Sequence, residues 1–136
     1  MEQLIFVTVI QNTKNIYNLV TDIFSYNFNE LNEELEKIGI SSTLDIVATL
    51  IEDIKQKENE CNRKTTDKIL TDIDSLVKKI ENILNILKNM MNERNQKYFS
   101  NWRSIQYVNE VESLRSYNKL LISRCTLLLQ ILQVLK

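Results

Sequence analysis

The stretch SIQYVNEVESLRSYNKLLISRCTLLLQILQVL, residues 104–135, decides the fold of this chain. Apolar residues recur there at alternating intervals of four and three: Tyr107, Val111, Leu114, Leu121, Cys125, Leu128, Leu132 and Leu135. Such intervals place side chains on one face of an α-helix, and only Asn118 interrupts the row. Towards the carboxyl end the apolar surface extends beyond that face. The helix is therefore predicted to be buried by several neighbours, by a partner chain or by lipid.

A second apolar pattern lies upstream, between residues 69 and 91. One row follows the same intervals and another repeats every seven residues beside it: Ile69, Ile73, Leu76, Ile80, Ile83, Leu87 and Met90, with Leu70, Val77, Leu84 and Met91. A stripe of that width predicts an inner helix that contacts two or three others. The chain has no proline and one glycine, the residues on which turns depend most. We therefore predict an all-α bundle of four to five mostly antiparallel helices with short polar connections, forming one domain over residues 1–136.

The opening segment, residues 4–38, is also helical in pattern, although its β-branched beginning is equally typical of a short strand. Asn27 marks the point at which a fifth helix would separate, with Asn29 predicted to cap a helix that begins at Glu30. Gly39 is the clearest helix stop in the chain, because glycine readily adopts the left-handed conformation that ends helices.

The remaining boundaries are predicted from caps and polar runs. Ser42, followed three residues later by an acid, is typical of the N-cap of the next helix. Polar residues predict connections at 59–66 and 92–103. Thr65 or Thr66 is predicted to cap the helix between them.

The net charge of −1 hides an uneven distribution. Residues 1–60 hold 4 basic and 11 acidic side chains, whereas residues 61–136 hold 13 basic and 7 acidic ones. We interpret this as attraction between the two halves within one bundle. The alternative is a basic second half that binds an anionic partner such as a membrane surface.

The composition excludes most reaction chemistries. Without histidine there is no imidazole base, catalytic triad or histidine metal ligand, and one glycine cannot form a phosphate-binding loop. Carboxylates remain, and their grouping is similar to the acidic helix pair that holds magnesium in all-α nucleotide pyrophosphohydrolases: Glu30, Glu33, Glu34 and Glu36, then Glu52 and Asp53. The internal spacing differs, and acidic runs on helices are usually solvated faces. We expect no enzyme activity, no cofactor and no bound metal.

The predicted location follows from the cysteines and from the apolar runs. Cys61 and Cys125 are not in a paired spacing, which favours a reducing intracellular compartment, the cytoplasm. The apolar run at residues 4–10 has no basic region before it and no small-residue cleavage site after it, so we expect no signal peptide. No apolar stretch reaches the roughly 20 residues of a membrane span, so any membrane association is expected to be peripheral.

An aromatic segment occupies residues 97–103. Its rings, Tyr98, Phe99 and Trp102, lie between Lys97 and Arg103, an arrangement that can stack on bases. Large rings more often cover the end of a hydrophobic core. Because no nucleic-acid-binding motif or strongly basic balance accompanies them, we predict no nucleic-acid partner, and no small-molecule substrate.

Residues 66–130 resemble the four-helix-bundle (HeLo-like) domain at the front of mixed-lineage-kinase-like executioner proteins. The resemblance lies in the layout: a long helix over 69–91, the charged and aromatic segment 97–103, and a helix that ends in the leucine run at 127–130. The first half departs from that family in its acidic helices. The resemblance implies a self-associating cell-death module that disturbs anionic membranes through a lipid-facing basic set: Lys78, Lys79, Lys88, Arg94, Lys97 and Arg103.

The sequence as a whole predicts a non-enzymatic interaction module, an adaptor, inhibitor or self-associating domain whose partner is another protein or a second copy. The excess apolar residues of the last helix form the predicted interaction surface: Leu120, Leu127, Leu129, Ile131 and Val134. Three alternatives stay open, namely a central helix in which these residues are core, a membrane-permeabilising domain, and the magnesium-dependent pyrophosphohydrolase.

Overall fold

The computed structural model describes residues 2–56, 63–96 and 107–134. Nearly all of these residues are helical, in five elements: α1 (Glu2–Ser25), α2 (Asn29–Ile38), α3 (Ile40–Gln56), α4 (Arg63–Gln96) and α5 (Val108–Val134). No strand occurs within the described ranges, and the opening segment is helical. Only Gly39 separates α2 from α3, so the five pieces make four helices by packing. The predicted all-α bundle is confirmed.

The separation of the first helices follows the sequence prediction closely. Asn27 adopts a positive φ of 58°, which ends α1 and lets the chain turn into α2. The cap position is Phe28, whose side chain makes no capping hydrogen bond, so Asn29 is the first helical residue and not the predicted cap. Gly39 ends α2 as predicted, with φ 77° and its N–H donating to the Leu35 carbonyl.

Two further predicted caps are also wrong. Ser42 lies inside α3, because left-handed Gly39 turns the chain within one residue and α3 begins at Ile40. Thr43 supplies the first bonds of that helix, since its N–H and its hydroxyl both donate to the Gly39 carbonyl over 3.1 Å. Thr65 and Thr66 likewise lie inside α4, which is already helical at Arg63.

The predicted connection at 92–103 begins too early. Residues 92–96 continue α4, because no glycine or proline interrupts the helix there. The rest of that connection, including the aromatic segment, and residues 57–62, including Cys61, lie outside the described residues.

Both heptad-like rows face inward. Every member of the two α4 rows is buried except Met90, which packs against the core while half-buried. In α5 the buried members of the row are Val111, Leu114, Leu121, Cys125, Leu128 and Leu132, and Tyr107 packs against them while half-buried. Leu135 lies outside the described residues. At about 1.5–3 kcal/mol for each fully buried large aliphatic side chain, these rows supply much of the hydrophobic stabilisation.

Polar contacts between helices fix their directions. Helices α1 and α4 are parallel, since three contacts join them in ascending order: Asn12–Asp74, Asn15–Glu81 and Asp22–Lys88. Helices α4 and α5 are antiparallel, since Asp72 is near Arg124 and Lys79 is near Tyr117. Helix α2 runs parallel to α5 through the pairs Phe28–Tyr107, Glu34–Arg115 and Ile38–Asn118. Helix α4 therefore lies between α1 and α5, and α5 lies between α4 on one side and α2 and α3 on the other.

Candidate interaction surface

Helix α5 carries an exposed surface that is almost free of charge. We define the outer surface of α5 by its exposed residues between 120 and 130: Leu120, Ile122, Ser123, Thr126, Leu127, Leu129 and Gln130. The four large aliphatic side chains among them are 42–44% exposed. Arg124 is the only charged residue between Leu120 and Val134, and its Nε lies 3.8 Å from the Asp72 carboxylate on α4. Exposed apolar groups without charges between them are typical of protein-binding sites.

The neighbouring helices leave this surface open because they pack on the flanks of α5. On one flank, the Lys79 ammonium of α4 lies 5.6 Å from the centre of the Tyr117 ring. On the other flank, Arg115 Nη2 lies 3.1 Å from Glu34 Oε2 of α2. The buried row of α5 faces the core between these flanks. With about 100° of rotation per residue, Ser123 and Gln130 turn away from the bundle, whereas Ile122 and Leu129 lie on the same edge as Arg115, seven and fourteen residues after it.

The predicted interaction residues separate into two edges of this surface. Leu120 and Leu127 are seven residues apart and share one edge, whereas Leu129 lies about 160° around the helix from Leu127. Ile131 is half-buried and packs against the core. The side chain of Val134 lies outside the described ones.

The sequence-based choice missed four residues of the outer surface, namely Ile122, Ser123, Thr126 and Gln130. Ile122 lies seven residues before Leu129 and shares its edge, and Ser123 and Thr126 lie between the two edges. The repeated interval of seven in both aliphatic pairs is the sequence signal that identifies the edges.

The three lysines of the basic set whose side chains are described do not form one patch. Lys78 Nζ lies 3.0 Å from Asp74 Oδ2, and Lys88 Nζ lies 3.0 Å from Asp22 Oδ2 on α1. Lys79 faces the opposite flank of α4, over Tyr117 of α5. Each of these three lysines therefore contacts a group within the bundle. The side chain of Arg94, and all of Lys97 and Arg103, lie outside the described residues.

The acidic residues are not assembled into a metal site within the part of the chain that the structure describes. No group of three or more histidine, cysteine, aspartate or glutamate residues is placed there to hold an ion. Glu34 of α2 instead pairs with Arg115 of α5 over 3.1 Å. Glu52 and Asp53 lie near the end of α3, beyond Gly39, in the other piece of the bent helix.

Three buried or partly buried polar side chains join helices, namely Asp74, Tyr17 and Asn118, and the Cys125 thiol is buried as well. Asp74 is 6% exposed and accepts a hydrogen bond from Asn12 Nδ2 over 3.1 Å. Tyr17 donates to the Asp45 carboxylate, and burial together with this bond raises the pKa of Tyr17 to about 12. Burial raises the pKa of the Cys125 thiol to about 11, which keeps it protonated and unreactive at neutral pH. Asn118 donates to the Ile38 carbonyl over 3.0 Å. The three hydrogen-bonded side chains therefore position the helices that they join.

The described helices include none that is both long and apolar enough to cross a membrane. Comparison of the chain with models of protein families, with curated proteins and with solved structures finds no match. Function is therefore inferred from the surface of the bundle itself.

Proposed function

We propose that this chain is a non-enzymatic helical interaction module that binds a protein through the outer surface of α5. One observation supports the proposal: four aliphatic side chains, each 42–44% exposed, lie on a stretch of α5 whose single charged residue is turned towards α4. Water in contact with those side chains is released when a partner covers them, which favours binding. A membrane surface is the less favoured partner, because the lysines on α4 contact groups within the bundle and face different directions.

The exposed fractions indicate the strength of such an interaction. Complete burial of a large aliphatic side chain contributes about 1.5–3 kcal/mol, so covering the remaining two-fifths of four such chains contributes about 3–5 kcal/mol before the entropic cost of association. This favours a reversible complex over a permanent one. Additional contacts from Ser123, Thr126 and Gln130 would set its orientation through hydrogen bonds.

A site-specific photocrosslinker tests the proposal. A photoreactive residue at Gln130, on the outer surface of α5, is expected to form protein adducts in an extract of the source cells. The same residue at Asn85, exposed on α4, is expected to form few. Leu127→Glu is expected to abolish the adducts at position 130, because it places a charge on the apolar edge.

Ile86→Glu is the matched control, because Ile86 on α4 is 42% exposed and Leu127 is 43% exposed. Both variants are checked for helix content by circular dichroism. The proposal is wrong if position 130 yields no protein adduct, or if Leu127→Glu and Ile86→Glu reduce the adducts equally.

A further inference from the structure

Helix α2 is attached to the bundle by few side chains. Of its ten residues only Leu31 and Leu35 are buried, whereas α3, on the other side of Gly39, buries six apolar residues. At the two ends of α2, Phe28 and Ile38 pack against the core while half-buried. Helix α2 packs mainly on α5, whereas α3 packs on both α1 and α5. Because hydrophobic stabilisation is proportional to the apolar area removed from water, α2 is held more weakly than α3.

The polar contacts between α2 and α5 have substitutes when the two helices separate. Arg115 pairs with Glu34 of α2, but it also pairs with Glu112 of its own helix. Asn118 donates to the Ile38 carbonyl, while its Oδ1 is buried without a hydrogen-bond partner within the described part of the chain. Separation leaves Arg115 paired and gives both ends of the Asn118 amide access to water. These contacts therefore align α2 without strongly opposing its separation from α5.

The backbone of α2 is bounded by two residues in the left-handed conformation. Asn27 has a φ of 58° and Gly39 has a φ of 77°, and the chain changes direction at both. With ten residues, α2 is shorter than the roughly 12–15 residues at which an isolated helix becomes marginally stable. Glu30 and Glu34 are four residues apart, an interval at which like charges destabilise a helix. Helix α2 therefore depends on α5 for its structure, and its amides lose their hydrogen bonds when it separates.

We propose that α2 is a strap that detaches from α5 as one unit while the other described helices stay folded. Contacts between α2 and α5 join residues about 80 positions apart, which places Leu31 level with Val111 and Leu35 level with Leu114. The flank of α5 that α2 covers continues along the helix into the edge formed by Ile122 and Leu129. Release of α2 therefore lengthens the accessible surface of α5 towards its amino-terminal end. This inference goes beyond the proposed function and does not depend on it.

Native-state hydrogen exchange of the full chain, followed by NMR, tests the proposal. The amides of residues 33–38 in α2 are compared with those of residues 47–51 in α3, at urea concentrations below the unfolding transition. The α2 amides are expected to exchange at least about 100-fold faster and to share one rate of opening. Their exchange should depend little on urea, because the release of α2 exposes little surface, whereas that of the α3 amides should depend on it steeply.

Two matched variants separate release of α2 from unfolding of the bundle. Leu35 is 2% exposed, and Leu128, ten residues beyond Asn118 on α5, is 0% exposed. Leu35→Ala should speed exchange of the α2 amides by about 30-fold or more, because it weakens the attachment of α2 directly. Leu128→Ala should change it less than about threefold, because Leu128 stays packed when α2 is released, while exchange in the other helices becomes faster.

Three results would overturn the proposal. The first is that the α2 and α3 amides agree in both rate and urea dependence, so that α2 opens only with the bundle. The second is that Leu35→Ala and Leu128→Ala speed the α2 amides equally. The third is a gradient of rates along α2, which indicates fraying from its ends. If circular dichroism shows that a variant has lost its helix content, the wild-type rates and their urea dependence decide the question alone. The proposed function is tested separately, by the crosslinker at Gln130.

Discussion

Asn118 is the one polar residue in the apolar row of α5. Its replacement tests whether its side chain stabilises the bundle or instead aligns α5 with the neighbouring helices. Its side chain is 3% exposed, and its Nδ2 donates to the carbonyl of Ile38, the last residue of α2, over 3.0 Å. Its Oδ1 is buried without a hydrogen-bond partner within the described part of the chain. The amide therefore makes one favourable bond and buries one unpaired acceptor.

The expected effect of Asn118→Leu follows from three contributions of similar size. Loss of the bond to Ile38 costs about 1 kcal/mol, and removal of the unpaired buried oxygen restores about the same amount. Leucine has the branching of asparagine but a larger volume, so its burial adds about 1.5–3 kcal/mol of hydrophobic stabilisation, less about 1 kcal/mol for fitting the extra volume into a packed core. We therefore expect Asn118→Leu to raise the free energy of unfolding by about 0.5–2 kcal/mol, equivalent to about 2–8 °C in Tm. Asn118→Ala loses the bond without that burial and should lower the free energy of unfolding by about 1 kcal/mol.

Urea denaturation followed by far-UV circular dichroism measures both changes. Leu114→Ala, at a position in the same row with 0% exposure, is the control and should lower the free energy of unfolding by about 2–5 kcal/mol. If Asn118→Leu destabilises the chain as much as Asn118→Ala does, the hydrogen bond outweighs the burial and the reasoning is refuted. If Asn118→Leu stabilises it, Asn118 serves to align α5 with the junction of α2 and α3, as single buried polar residues do in coiled coils.

Two further predictions concern the backbone and the pH dependence. Gly39→Ala should lower the free energy of unfolding by about 1–2 kcal/mol in the same urea assay, because φ is 77° and an added Cβ would meet no atom within 4 Å, which leaves backbone strain as the only cost. Stability should also fall as pH rises above about 9, since burial raises the folded-state pKa of Cys125 from 9.0 to about 11, and burial with the Asp45 bond raises that of Tyr17 from 10.0 to about 12. The unfolded chain loses these protons first, so the stabilisation is complete below the unfolded pKa and is lost as pH passes the folded one. Urea denaturation at a series of pH values measures this loss of stability. Cys125→Ala should reduce the loss between about pH 9 and 11, and Tyr17→Phe should reduce it between about pH 10 and 12. If neither variant changes the dependence of stability on pH, the two raised pKa values are not its cause.

The helices and their buried faces could be predicted from the sequence because both depend on local periodicity. The rows of α4 and α5 gave the core directly, and Gly39 gave the end of α2 through its left-handed conformation. Caps were less predictable. Ser42 has the residue type of a cap, but the position of a helix start depends on where the preceding turn ends. Gly39 completes that turn, so α3 begins at Ile40, three residues earlier than a cap at Ser42 would allow.

The arrangement of the helices could not be predicted from periodicity. Nothing in the row of α1 indicates that it packs parallel to α4, a direction fixed by contacts such as Asp22 with Lys88, 66 positions apart in the sequence. The distribution of charge between the two halves of the chain also does not predict individual contacts. The opposite net charges predict attraction between the halves, yet Lys78 pairs with Asp74 on its own helix. The net charge of each half therefore does not reveal the partner of each charged residue.

The exposure of the α5 side chains distinguishes two explanations for the additional leucines of that helix. Either α5 is a central helix and the leucines are core, or they form an interaction surface. A central helix would bury the positions between the members of its row as completely as the row itself. In α5 the row is at most 4% exposed from Val111 to Leu132, whereas Leu120 and Leu127 are 44% and 43% exposed. Folding of the described part of the chain therefore does not account for aliphatic residues at these positions, since a polar side chain at the same exposure would leave the core unchanged.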